Sequence, residues 1–275
     1  MIRSSRLLRE LILLAAVIVV LAAAAFAAQR FLFSRTLLTP DIARSMDEAL
    51  GPIVLSQVEM TQRALHDAAV DKAFSTIMGR LRPGLDALQP GTPQVRIVVL
   101  DSPTVNAFAL PGGIICVYTG LMRNLDSAEQ MAGILGHELS HVAHRDPLTL
   151  LARQVGVAAL AGLLTGGRGG DLARTIAQTL VNVHYGREAE DRADEFSVQL
   201  LARSNIAPLS FRDALERIRK AEPKDPKLLL WIDTHSPIDQ RIARAGEEAE
   251  KLTVKPRRIE VSWQRLIKGL PKPRE

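Results

Sequence analysis

The chain has 275 residues, enough for one sizeable domain with appendages; 47% are hydrophobic against 24% charged, a globular composition that excludes a wholly disordered chain. A formal charge of +5 and a pI near 9.6 suit nucleic acid or acidic lipid, but no nucleic-acid recognition motif accompanies them. Basic residues gather at the two ends (Arg3, Arg6, Arg9; Lys255, Arg257, Arg258, Lys268, Lys272, Arg274), which fits a membrane surface, with an ordinary solvated tail as the alternative and no nucleic-acid partner expected.

Residues 11–28 form an uninterrupted apolar run behind three arginines. As a helix the run is about 27 Å long, just enough to cross a bilayer. Ala25-Phe26-Ala27 would also suit a signal peptidase, but the run exceeds the usual signal-peptide core, so an uncleaved anchor is favoured. Positive charge ahead of it favours an amino terminus in the cytoplasm and the rest of the chain outside, in the periplasm, although Arg30, Arg35 and Arg44 blunt the asymmetry; the mitochondrial inner membrane is the expectation if the source is eukaryotic.

The expected organisation is a signal anchor or signal peptide over 1–35, a helical lead-in over 36–92, the main domain over 93–252 and a basic tail over 253–275. The lead-in reads as helices broken at Gly51-Pro52, with turns at Pro83-Gly84 and Pro90-Gly91-Thr92-Pro93. The run from Val95 to Leu100, the stretch Asn106 to Leu110, a Pro111-Gly112-Gly113 turn and the run from Ile114 to Tyr118 predict a small antiparallel sheet. Cys116, the only cysteine, falls in this apolar run, so no intrachain disulfide is available and a cysteine-rich zinc ribbon is excluded.

From Leu121 onward the pattern is helical, which makes the fold class α+β, mainly helical, with one amino-terminal membrane helix. Asp126 or Ser127 can cap the first of these helices, Gln130 completing a capping box behind Ser127. That helix carries His137-Glu138-Leu139-Ser140-His141. Positions i and i+4 project from one helix face, so the two imidazoles can share a zinc ion, while Glu138 is placed to take a proton from water at the metal. The alternative is a buried helix whose histidines bond locally, which would leave Glu138 beside an apolar face.

A second helix is expected from about Pro147; its apolar stretch, 148–164, reads as core or as a cover over the site rather than a second membrane crossing. The glycine run 166–170 lacks the Lys-Ser/Thr of a phosphate loop and reads as a hinge, ahead of a long helix over 171–203. A catalytic zinc needs a third protein ligand. No histidine stands ten residues after His137, where Pro147 lies, so the acidic cluster 188–195 is the remaining source. Glu190 and Asp194 share a helix face; we take Glu190 as the ligand and Asp194 as the carboxylate that orients a ligand imidazole, against the plainer reading of a solvated acidic face.

Three blocks in order, Asn106-Ala-Phe-Ala-Leu-Pro-Gly-Gly113 with Tyr118-Thr-Gly-Leu121, then His137 to His141, then Glu190-Asp-Arg-Ala-Asp194, resemble the gluzincin metallopeptidases that include HtpX and the CAAX prenyl proteases, in their compact single-anchor quality-control form. The resemblance spans about residues 93 to 250. It implies that Glu190 completes a site for one zinc ion per chain, and that the strand Asn106, Ala107, Phe108, Ala109 holds an extended substrate by its edge. Thr234-His235-Ser236-Pro237 with Arg241 looks like the family's His-Pro motif, which gives His235 and Arg241 the task of stabilising the oxyanion. In some relatives that histidine caps the zinc; here Ser236 interrupts the motif, and a histidine that merely caps a helix is the other reading.

The expected function is a zinc endopeptidase acting on unfolded or mislocalised polypeptides at a membrane. Its rival is a membrane-tethered chaperone or assembly factor with a latent or structural zinc site.

Overall fold

The computed structural model describes residues 13–21, 39–165, 170–182, 184–221 and 237–272. Two long helices, α1 (Pro40–Thr61) and α2 (Ala68–Leu88), lead into three strands, β1 (Arg96–Leu100), β2 (Ala107–Leu110) and β3 (Ile114–Tyr118). Eight shorter helices follow among the described residues: α3 (Thr119–Asn124), α4 (Ala128–Ala143), α5 (Asp146–Gln154), α6 (Val157–Leu164), α7 (Gly170–Val181), α8 (Arg187–Arg203), α9 (Leu209–Arg219) and α10 (Ile238–Glu250). A terminal turn of helix, α11 (Trp263–Gly269), completes the carboxyl end.

The sheet is mixed, not antiparallel as expected. β2 and β3 form the predicted hairpin around Pro111–Gly113, but β1 pairs parallel with the other edge of β3, giving the order β1-β3-β2. β3 is buried along its whole length, whereas β1 begins exposed at Arg96, so the most apolar strand takes the centre. Two close reversals of direction then leave β1 and β3 running the same way.

Side chains alternate across the sheet and divide the interior in two. Val99, Ala107, Ala109, Ile115 and Val117 face one core with α2, α4, α8 and α9. Val98, Leu100, Phe108, Leu110, Ile114 and Cys116 face the other with α1, α5, α6 and α7. Cys116 is buried, as expected of a small core residue, and burial pushes its thiol pKa up.

Of the three proline–glycine pairs of the lead-in, Pro90-Gly91 forms the expected turn, but Gly51-Pro52 and Pro83-Gly84 lie inside helices, contrary to the expected breaks. α1 runs through Pro52 and α2 through Pro83, while the real break is the segment 62–67 ahead of Asp67, whose carboxylate caps α2 by accepting the Ala69 and Val70 N–H groups at 2.8 and 3.0 Å. The glycines serve packing: a Cβ on Gly51 would stand 2.6 Å from the carbonyl oxygen of Pro111, and one on Gly84 2.7 Å from Ser204 Oγ. The lead-in is thereby fixed against the sheet turn and against the end of α8.

The helix expected over 171–203 is two helices, α7 and α8, parted by the segment 182–186, and the apolar stretch after Pro147 is bent by 106° between α5 and α6 at Gly156, whose φ is +86°. Leu148, Leu151 and Leu160 of the bent pair are buried in the second core. Among the described residues no single helix is long and apolar enough to cross a membrane. Of the run 11–28, residues 13–21 are helical and exposed; the remainder of the expected anchor lies outside the described residues. The tail folds back as α11, with Ile259, Trp263 and Leu270 buried and Trp263 Nε1 donating to the Leu125 carbonyl at 3.0 Å.

Candidate metal and active site

Helix α4 begins where the sequence placed it. Ser127 accepts the Gln130 N–H at 3.2 Å, and Gln130 Oε1 accepts the Asp126 N–H at 2.7 Å, one residue earlier than a regular capping box would have it. Two glycines then let other helices approach. A Cβ on Gly133 would meet the Phe211 backbone at 2.8 Å and one on Gly136 would meet Ser197 Oγ at 2.9 Å, while that hydroxyl donates to the Gly133 carbonyl at 2.6 Å. This close crossing of α4 and α8 brings Glu190 over His137 and His141.

His137 Nε2 and His141 Nε2 are 3.2 Å apart, and the Glu190 carboxylate stands 3.7 Å from the first and 3.6 Å from the second. One atom from each residue falls within 4.8 Å of the other two, a grouping that can hold a metal ion. Both imidazoles are held by the opposite nitrogen. His137 Nδ1 lies 2.9 Å from Asp194 Oδ1, and His141 Nδ1 lies 2.8 Å from Asp146 Oδ2. Each ring is thus fixed as the tautomer with Nδ1 protonated and its Nε2 lone pair turned inward, the state in which a histidine binds metal. Two neutral imidazoles and one carboxylate suit a zinc ion with a position left for water.

The electrostatics agree with that tautomer. Burial lowers the pKa of both histidines, His137 to about 3, with the Arg241 charge next in importance there, so both are neutral near pH 7. Burial also raises Asp194, but Arg241 and the His137 hydrogen bond more than reverse it and hold the carboxyl below its ordinary range. Glu138 is buried beside the pair and accepts a hydrogen bond from the Ala109 N–H; burial first, and the Glu190 carboxylate second, raise its pKa well above that of an ordinary glutamate.

Arg241 is fully buried and grips Asp194 with Nε at 2.9 Å and Nη2 at 2.6 Å; Nη2 also lies 3.2 Å from His137 Nδ1. Its Nη1 also lies 3.9 Å from Glu190 Oε2, so the guanidinium stands beside both carboxylates that α8 brings to His137. His235 lies outside the described residues. Of the expected substrate strand, Ala107, Phe108 and Ala109 form β2, each 2% exposed or less, with the Ala109 N–H turned from the sheet toward Glu138. Asn106 is buried ahead of the strand, its Oδ1 accepting the Ala107 N–H at 2.9 Å. His144 ends α4, its Nδ1 2.8 Å from the Ser140 carbonyl.

Two residues escaped the sequence reading. Asp146, the partner of His141, follows Arg145 in the left-handed conformation (φ 52°) and is itself gripped by Arg192 at 2.7 Å. A carboxylate five residues beyond the second histidine was a visible signal, since each ligand histidine needs such a partner. Tyr185 stacks on His141 with ring centroids 4.1 Å apart and planes at 24°; no motif marked it.

A helix bearing two histidines, crossed by a second helix that brings a glutamate to the same point, defines the glutamate-completed class of HExxH metallopeptidases. The chain belongs to peptidase family M48, whose model matches residues 76–249 and so contains both helices. A β-barrel assembly-enhancing protease of Yersinia pestis is 25% identical over 253 residues, covering 80% of this chain and 49% of that protein. The metalloprotease YcaL of Escherichia coli K12 is 31% identical over 157 residues, 55% of this chain and 60% of that protein. The mitochondrial metalloendopeptidase OMA1 of Schizosaccharomyces pombe is 27% identical over 161 residues, 57% and 47% of the two chains. Against the β-barrel assembly-enhancing proteases, the chain spans about half the length of the curated relatives it matches.

Proposed function

We propose that this chain is a zinc-dependent endopeptidase that cleaves unfolded or mislocalised polypeptides, tethered at a membrane by its amino-terminal apolar segment, with residues 93–252 as the catalytic portion. The convergence of His137 Nε2, His141 Nε2 and Glu190, with Glu138 buried alongside, carries the reading. His137, His141 and Glu190 would hold the zinc, which supplies Lewis-acid polarisation and lowers the pKa of water towards about 7.

The other steps belong to the chain's own side chains. Glu138 takes the proton of the attacking water and passes it to the leaving amine; burial and the Glu190 carboxylate raise its pKa above that of an ordinary glutamate, which strengthens it as a base. Asp194 and Asp146 keep the two imidazoles in the ligating tautomer. Arg241 holds Asp194 in its charged form rather than contacting substrate. The outer edge of β2 lies beside Glu138, where an extended segment would be held through its main chain, a recognition mode that selects unfolded chain over particular side chains. The names of the relatives, a β-barrel assembly-enhancing protease and a mitochondrial metalloendopeptidase, support polypeptide substrates.

One observation favours the chaperone or assembly-factor reading: His137, His141, Glu138 and Glu190 are all 1% exposed or less, so a polypeptide reaches them only after the site opens. One experiment separates the two. The full chain loaded with zinc should degrade an unfolded protein, stop when chelated, and lose at least about 100-fold in rate as Glu138→Gln while retaining its zinc. Equal client binding by both proteins with no cleavage by either would replace the peptidase reading with the chaperone one.

A further inference from the structure

Tyr185 lies in the segment that joins α7 to α8, between the bent apolar pair and the glutamate helix. Its ring lies flat against His141, and its hydroxyl oxygen is buried with no hydrogen-bond partner among the described residues. Buried hydroxyls are almost always partnered, because the water they give up must be replaced. A phenol held in a metal-type site with its donor unused is therefore poised for a partner that arrives with the substrate. Contact with His141, one of the grouped residues, places the ring at the edge of the candidate metal site.

Among the described residues, two other donors near the site are already engaged: Arg241 with Asp194, and the Ala109 N–H with Glu138. Building on the peptidase reading, we propose that Tyr185 is a catalytic residue: its hydroxyl donates a hydrogen bond to the scissile carbonyl oxygen as that oxygen becomes negative in the tetrahedral state. An ordinary phenol keeps its proton at neutral pH, so the donor is ready without prior ionisation. Stacking on His141 holds the ring in place, and a donor that needs no reorganisation is what stabilises charge formed only in the transition state.

The test is Tyr185→Phe, which removes one oxygen and leaves the stacked ring. With zinc-loaded full chain, kcat should fall about 100-fold while KM changes by less than about threefold, the pattern of an interaction made only in the transition state. A second measurement does not depend on turnover. A phosphinic peptide, whose anionic tetrahedral oxygen imitates that state, should bind Tyr185→Phe about 100-fold more weakly by calorimetry, whereas an uncleaved peptide bound to Glu138→Gln should not distinguish Tyr185 from Phe. Unchanged phosphinic-peptide affinity would overturn the proposal, as would loss of zinc or of thermal stability in Tyr185→Phe, which would make the hydroxyl structural. Wild-type protein that holds zinc yet binds no phosphinic peptide would instead remove the peptidase reading on which the proposal rests.

Discussion

The two histidines of α4 are supported by the same device at different depths. Behind His137 stand Asp194 and Arg241, whose side chains are 6% and 1% exposed; behind His141 stand Asp146 and Arg192, at 14% and 35%. Each set runs imidazole, carboxylate, guanidinium, with contacts of 2.6 to 2.9 Å. What differs is the solvent. A buried charge has no water to fall back on, so the inner set should act as a unit that fails if any member is removed, whereas the outer one can exchange a lost partner for water. The contrast is sharpened by origin, because the inner set ties together α4, α8 and α10, while the outer one ties α4 and α8 to the start of α5.

The largest expected effect is at Arg241. Arg241→Leu leaves the Asp194 carboxylate buried without its cation, a change that costs about 3–5 kcal/mol, read as the shift in denaturant unfolding of the metal-free protein. Replacing Asp194 by Leu in the same chain should recover much of that loss, since removing both charges costs less than removing one. If Arg192→Leu proved as damaging as Arg241→Leu, depth would not be the quantity that separates the two sets.

Metal affinity gives a finer comparison. Carboxylates that support ligand histidines contribute about 10–100-fold to binding, and the buried one should stand at the upper end. Asp194→Asn is expected to weaken zinc binding about 100-fold and Asp146→Asn about 10-fold, in competition with a chelator of known affinity. The reverse order would show that access to solvent, rather than burial, governs how strongly each imidazole is polarised.

How much of this was legible in the sequence follows from what each part depends on. His137, Glu138 and His141 were singled out from helical spacing, and Glu190 and Asp194 from spacing together with the need for a third ligand; the structure places the five near one another. The Ser127 cap was readable for the same local reason. The parallel pairing of β1 with β3 was not, because strand order depends on which run takes the buried centre, a property of the whole sheet. Gly51-Pro52 and Pro83-Gly84 misled because breaker residues were weighed by propensity, while the glycines answer to Pro111 and Ser204, which are far away in the chain. Arg241 was picked out by its motif, but its grip on Asp194 was not, since spacing cannot say which side chains a buried guanidinium will meet. Tyr185 lay in what the pattern made a continuous helix; the break at 182–186 that turns it onto His141 had no strong punctuation beyond Gly186.

The smallest effect is expected at Arg192, and it tests the comparison from the side where a null result has meaning. Arg192 is about one-third exposed, so its bond to Asp146 competes with water and salt, and such pairs contribute less than about 1 kcal/mol. Asp146 has other support. It stands in the first turn of α5, where unpaired N–H groups favour a negative charge, and it accepts from His141 Nδ1. Burial alone would raise its pKa, yet the His141 hydrogen bond heads the influences that lower it, ahead of the Arg192 charge. Arg192→Ala should therefore leave His141 oriented and change zinc affinity by less than about threefold. Whatever remains of that difference should vanish in about 1 M salt, where the screening length falls to about 3 Å, while the Arg241→Leu defect should persist because no ion reaches it. A salt-insensitive loss in Arg192→Ala would mean that the outer set is as closed to solvent as the inner one, and that the two imidazoles are held alike.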